Sequence, residues 1–363
     1  TGTATDSDGN PLTYAWSKTA GGAATLVSPA AATTQVTGLG AGTYTFTLTV
    51  GDGKGGVASD SLKVVVQTAT VALCTGATYY VSTSGNDTSG TGSQAQPWAT
   101  LKKATTAVTT AGATIHVLAG TFTETAALTL AKGVCLQGEG DTSILRSTVT
   151  TDWGPLLAAT SPVGTDGHQE ISHLKFDGQL KTFWGIEVAG RSNVSLHDLT
   201  VVDFKDRGVI MTGRDDNQEG APAVYAKGLA FYNNTVLNSA AYNTPNGIYG
   251  RGGLNVGGTE GMLIYGNVIV QNQRPVGENG WPIKYANGGF NRGLKIYGNT
   301  LTKIPYTGSY PGENGWDFVV EMFDDQGTEF YNNTVSGGGY DSNRQSKGTY
   351  PYSLWIHDNS FSI

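Results

Sequence analysis

Two segments of this chain carry nearly the same run of residues. Gly277-Glu278-Asn279-Gly280-Trp281-Pro282-Ile283-Lys284-Tyr285 returns 35 positions later as Gly312-Glu313-Asn314-Gly315-Trp316-Asp317-Phe318-Val319-Val320-Glu321. Charge separates around them. From Arg251 to Lys303 six bases (Arg251, Arg274, Lys284, Arg292, Lys295, Lys303) face only Glu260 and Glu278, a balance of +4. From Ile304 to Asn333 there are six acids and no base, a balance of −6. A basic stretch beside an acidic one suits work on an acidic polymer. Carboxylates at Asp317, Glu321, Asp324 and Asp325 can hold Ca²⁺, which takes oxygen ligands. The cation, with Arg292 as a clamp, would neutralise a uronate carboxylate and acidify the adjacent C–H. A desolvated Lys284 would then remove that proton as general base. Arg251, Arg274, Tyr306 and Tyr310 are the candidate contacts to the rest of the polymer.

Two other classes fit the same residues. Hydrolysis of a glycoside needs two carboxyls about 5 to 9.5 Å apart. Asp317 and Glu321, four residues apart on one strand, lie about 13 Å apart by Cα and do not qualify. Glu321 with Asp324 or Asp325, past the strand end, does. A non-catalytic adhesin or fibre-forming protein, able to self-associate, would use the pattern only as a surface ion pair worth under about 1 kcal/mol.

The elements that must position these residues are strands. Alternation puts Trp281, Ile283 and Tyr285 on one face, taken as the core, with Trp316, Phe318 and Val320 stacked on them at the 35-residue offset. Pro282, Lys284 and Ala286 then point outward, as do Asp317, Val319 and Glu321. Lys284 is placed diagonally between Asp317 and Glu321, roughly 8 Å from each. Glu187, three coils away, falls about 14 Å from Lys284 at the strand spacing.

A four-residue pattern repeats through the chain as Ile171-Ser-His-Leu174, Leu196-His-Asp-Leu199, Phe231-Tyr-Asn-Asn234, Ile264-Tyr-Gly-Asn267, Ile296-Tyr-Gly-Asn299, Phe330-Tyr-Asn-Asn333 and Ile356-His-Asp-Asn359. The spacing is 25 to 35 residues, a period that indicates a solenoid. Short alternating strands and no helical period favour one coil of a β-helix per repeat. Asn234, Asn267, Asn299, Asn333 and Asn359 read as an internal ladder, each amide bonded to the next across coils about 4.8 Å apart. The third position is read as unrestricted. His173, His197 and His357 are expected to face solvent, and no histidine shows a metal-ligand spacing.

Further motifs give the ends of the architecture. Tyr79-Tyr-Val-Ser-Thr-Ser-Gly85-Asn86-Asp87, Pro97-Trp98-Ala-Thr-Leu101 and Ile115-His-Val-Leu-Ala-Gly120 resemble the opening coil and cap of right-handed parallel β-helices of the pectate-lyase-like superfamily. Leu101 to Val108 would be the capping helix. That superfamily hosts lyases, hydrolases, epimerases and binding proteins, so the resemblance implies a fold and no single activity. Before it, Asp6-Ser-Asp8-Gly9-Asn10-Pro11 and Val50-Gly-Asp52-Gly53, between alternating strands, resemble the PKD-like immunoglobulin-fold modules of bacterial surface proteins. The expected organisation is an all-β chain. Residues 1–67 form a β-sandwich lacking its first strand, 68–76 a linker, and 77–363 a right-handed parallel β-helix. The chain is expected to continue beyond both ends.

Composition narrows the partners. A net charge of −7 with 14% charged residues argues against nucleic acid, which draws a basic surface. No apolar run approaches the roughly 18 residues of a membrane span. Cys74 and Cys135 are too few for a disulfide framework, and a single bridge or two buried thiols fit equally. The expected setting is secreted or cell-surface, in a bacterium, with a polysaccharide as partner.

Overall fold

The computed structural model describes residues 2–39, 42–66, 73–150, 153–216, 220–239, 251–271, 280–304, 318–343 and 352–362. The chain divides into two compact units, Thr1–Ala72 and Leu73–Ile363.

The first unit is antiparallel. Strands Thr13–Ala20, Gly42–Gly51 and Val57–Val66 form one sheet with Gly42–Gly51 in the middle. Tyr44, Phe46, Leu48 and Val50 alternate on its buried face, as period-two patterning requires. Asp6 Oδ1 accepts from the backbone N–H of Asp8 and Asn10, at 3.0 and 2.9 Å. That carboxylate therefore closes a turn.

The second unit is a parallel β-helix. Each coil lays down three strands, on faces named A, B and C. One coil has Gly280–Tyr285 on A, Lys295–Tyr297 on B and Thr300–Lys303 on C. The coil before it supplies Arg251–Gly257, Leu263–Tyr265 and Val268–Gln271, and the one after supplies Phe318–Phe323, Gln326–Tyr331 and Thr334–Ser336. All nine pair in parallel with their counterparts. The interior is filled by the inward residues of the three faces, such as Ile283, Ile296 and Leu301, all fully buried. The helix Leu101–Ala107 lies at the N-terminal end with Leu101, Ala104 and Thr105 buried, and Thr100 caps it by accepting from Lys103 N–H.

The corner between faces B and C is the four-residue repeat. Its first residue points into the core, as Phe231, Ile264, Ile296 and Phe330 do. Its fourth makes the ladder. Asn234 Nδ2 donates to Asn267 Oδ1, Asn267 to Asn299, Asn299 to Asn333 and Asn333 to Asn359, at 2.9 to 3.1 Å. Each of these acceptor oxygens also takes the backbone N–H of the preceding asparagine.

The third position is not unrestricted. His173, Asp198, Asn233, Gly266, Gly298, Asn332 and Asp358 all have φ between 51° and 67°. The chain must turn through the left-handed region there, which selects Gly, Asn and Asp. The second position points outward. His197, Tyr232, Tyr265, Tyr297, Tyr331 and His357 stack ring on ring, with centroids 4.6 to 5.1 Å apart.

Cys74 and Cys135 are disulfide-bonded, with Cα atoms 6.0 Å apart. Cys74, within the expected linker, is thereby fastened to the first turns of the solenoid.

Candidate functional site

Face A carries an outward column that runs across coils as Glu187, Ile210, Asn255, Lys284, Glu321 and Asp341. The expected 35-residue offset is corrected here. Ile283 pairs with Val320 and Lys284 with Glu321, an offset of 37. Ile283 and Val320 still face the core as expected, but Lys284 stands directly opposite Glu321 rather than diagonal to it. The two form an ion pair with only 13% and 4% of their side chains exposed. The Lys284 ammonium also sits 4.2 Å from the centre of the Trp281 ring and 4.7 Å from that of Tyr285, the geometry of cation–π contact. Trp281 is buried and meets a second ammonium, that of the buried Lys303, at 5.1 Å.

One acid, Asp341, adjoins this pair on the next coil, and Glu187 stands three coils before Lys284. Burial raises the Asp341 carboxyl above its ordinary range, and the charge of Lys284 opposes the rise. Burial likewise raises Glu187, with Arg207 opposing. Val319 and Ala286, expected on the open face, are buried. Segments 240–250, 272–279 and 305–317 lead in sequence into the face A strands and lie outside the described residues, and Arg274, Tyr306, Tyr310 and Asp317 fall within them. The side chain of Arg251 is also outside the description.

The other described candidates lie at the turn that follows face A. Arg292 is exposed beyond the turn that follows face A, with its guanidinium 3.8 Å from the centre of the Tyr225 ring. It bridges Glu260 and Gln326 through its backbone. Asp324 and Asp325 are buried at the A–B corner. Asp325 Oδ1 accepts from the backbone N–H and the side-chain amide of Asn291, and Asn291 Oδ1 accepts from Thr259. This is a second ladder, Thr259–Asn291–Asp325, that the sequence reading missed. Its signal was the 32- and 34-residue spacing of the three, hidden by their different side chains. Burial pushes the Asp325 carboxyl up to about 7, against the pull of Asn291 and Thr328.

Of the histidines expected to face solvent, His173 keeps a side chain 45% exposed, whereas His197 does not. His197 is buried on face B, not open to solvent. Its Nδ1 is 2.7 Å from Asp198 Oδ2 and its Nε2 is 3.3 Å from Glu170 Oε1. His173, one coil earlier, places Nε2 4.0 Å from the same Asp198 oxygen. Desolvation disfavours the imidazolium of His197, but the hydrogen bonds to Glu170 and Asp198 win and raise its pKa. Glu170 is lowered in turn, chiefly by its bond from His197.

Residues 1–66 match a family model of the PKD domain. The N-terminal unit is a PKD-like domain. The chain is also similar to several solved structures. One is the pre-mature gene product 12 of bacteriophage phi29, at 16% identity over 63% of this chain and 29% of that one, with a TM-score of 0.44. A second is the GH136 lacto-N-biosidase from Eubacterium ramulus, at 11% identity over 79% of this chain and 68% of that one, TM-score 0.48. A third is an alginate lyase from Paenibacillus sp. str. FPU-7, at 17% identity over 72% of this chain and 92% of that one, TM-score 0.42. The chain thus spans under a third of the length of the phage protein. No curated protein matches it in sequence. Among the described residues no helix is long and apolar enough to cross a membrane.

The PKD-like domain contributes no residue to the face A column, which belongs wholly to the β-helix. Nor does the outward ring stack offer ring faces to a sugar along its length, because each face is covered by the next ring.

Proposed function

We propose that this chain is a secreted or cell-surface protein whose β-helix binds an acidic polysaccharide along face A. One observation carries the reading. The outward column sets Asn255, Lys284, Glu321 and Asp341 side by side on successive coils, with the rings of Trp281 and Tyr285 against the ammonium. Such a row repeats polar groups at the roughly 4.8 Å coil spacing, which suits an extended polymer. An anionic sugar would compete with Glu321 for the Lys284 ammonium. The Cys74–Cys135 bridge supports an oxidising compartment.

The sharpest form of the reading is cleavage by β-elimination with Lys284 as base. Lys284 must give up its proton before it can act as base, and Glu321 must first turn away from it. A Ca²⁺ ion, if used, would draw on Glu321 and Asp341. Asp325 fits it poorly, because its oxygens are engaged by Asn291 and Thr328. The cation's part would be to neutralise the uronate carboxylate.

The test is affinity electrophoresis through gels containing polygalacturonate, alginate or a glycosaminoglycan, with and without Ca²⁺. Retardation by at least one polymer is expected. The Lys284→Gln/Glu321→Gln double variant should lose it, while keeping the unfolding midpoint close to wild type. Absence of retardation in all three gels would overturn binding. Absorbance of the unsaturated product separates cleavage from binding, and a silent trace with retardation present would remove the lyase form alone.

A further inference from the structure

Apart from face A, the B–C corner of the early coils holds a second constellation. We infer that His173, His197 and Asp198 form a binding site for a divalent transition-metal ion of the zinc type.

The donor atoms converge. One ligand atom from each residue lies within 4.8 Å of the others. Asp198 Oδ2 is 2.7 Å from His197 Nδ1 and 4.0 Å from His173 Nε2. Tetrahedral zinc with bonds of about 2.0 to 2.1 Å sets its ligand atoms roughly 3.3 Å apart. The two observed separations bracket that value, so small side-chain rotations suffice.

A supporting carboxylate is in place. Glu170 Oε1 lies 3.3 Å from His197 Nε2 and also accepts from Ser172 Oγ at 2.8 Å. Holding a proton on Nε2 leaves the Nδ1 lone pair aimed at Asp198, the carboxylate–histidine–metal arrangement. Two lone pairs 2.7 Å apart need a positive centre between them, which is either a proton or a metal ion. The charge matches as well, because Glu170 and Asp198 are both carboxylates beside His197. Tyr232 stacks on His197 at 4.6 Å and fixes its ring.

His173 makes the difference between a proton and a metal. Its Nδ1 is buried with no hydrogen-bond partner among the described residues, so no hydrogen bond at that atom explains its ring. It is also the one third-position residue of the seven that is not Gly, Asn or Asp. His173 and Asp198 are 45% and 40% exposed, which leaves a path for the ion and room for a water as fourth ligand. Two imidazoles and one carboxylate favour zinc, nickel or cobalt over calcium, which needs about six to eight oxygens. The far end of the solenoid supplies an internal comparison. His357 and Asp358 repeat the pair at 2.9 Å, but the preceding coil has Tyr331-Asn332 there and offers no second imidazole.

The experiment is calorimetric titration of tag-free full chain with Zn²⁺. One site is expected, and Co²⁺ should give a visible d–d band. His173→Asn and Asp198→Asn should each weaken binding at least tenfold and abolish the band. Asn is chosen because φ is 55° and 51° at these positions and Asn tolerates that region. Matching metal-free unfolding midpoints confirm intact folds. His357→Ala should change nothing, and Ca²⁺ should not compete. No zinc binding by the wild type, or equal binding by both Asn variants, would overturn the site.

Discussion

Asn291 sets its backbone N–H and its side-chain amide on a single oxygen of Asp325, at 3.1 and 2.9 Å. The carboxyl is buried, and burial raises it to about 7. The folded chain therefore holds a proton that the unfolded chain releases near pH 4. By linkage, this contribution to stability is complete below about pH 4 and is lost as pH rises through about 7. Asp325→Asn keeps an oxygen acceptor and cannot ionise. Its unfolding midpoint should gain on the wild type steadily between about pH 4 and 8. Parallel curves across that window would show that Asp325 is ionised throughout.

Asn299 is a middle rung of the first ladder. It accepts from both amides of Asn267 and donates to the carbonyls of Ile264 and Tyr297. Asn299→Ala leaves several buried groups without partners at about 1 to 3 kcal/mol each. A loss of about 3 kcal/mol in urea unfolding is expected, with a smaller loss for Asn359→Ala at the part-buried end. Equal losses at both positions would argue against burial as the cause.

Removing one member of the Lys284–Glu321 pair strands a charge in a desolvated place. Lys284→Met alone should cost about 3 to 5 kcal/mol, whereas Lys284→Met with Glu321→Leu should recover most of it. A double variant as unstable as the single would mean that the pair's value lies in packing, not charge.

The Cys74–Cys135 bridge joins residues 61 positions apart. Chain-entropy arguments give about 4 kcal/mol for a loop of that length. Cys74→Ser/Cys135→Ser should lower the unfolding midpoint. Insensitivity of the wild type to reductant would show the bridge to be dispensable.

The solenoid was legible because its corner repeats side-chain types that the geometry demands. Asn234 through Asn359 announced the ladder, whereas the outward ring stack formed by the tyrosines of the same repeat went unread. The register on face A was not legible. The repeated Gly-Glu-Asn-Gly-Trp run suggested pairing like with like, yet loop length between coils is free, and the strands settle two residues further on with Lys284 against Glu321. Parity survived because a one-residue slip would turn the core outward. The Thr259–Asn291–Asp325 ladder escaped notice because three different side chains share one role. The histidine corner escaped for another reason. His173 and His197 are 24 residues apart in sequence and become neighbours only when one coil lies on the next.

The left-handed third position has a consequence for how such a chain can change. In the seven repeats from Ile171 to Asn359 the chain passes through the same bend in the same conformation, so the bend is a fixed joint and the remainder of those coils is adjustable. Cutting at Asn267 and rejoining at Asn299 would remove one complete turn while restoring Tyr-Gly-Asn at the splice. The solenoid can thus be shortened or extended in whole steps, like a measuring rod with interchangeable divisions, and only the outward columns would record which division had been lost.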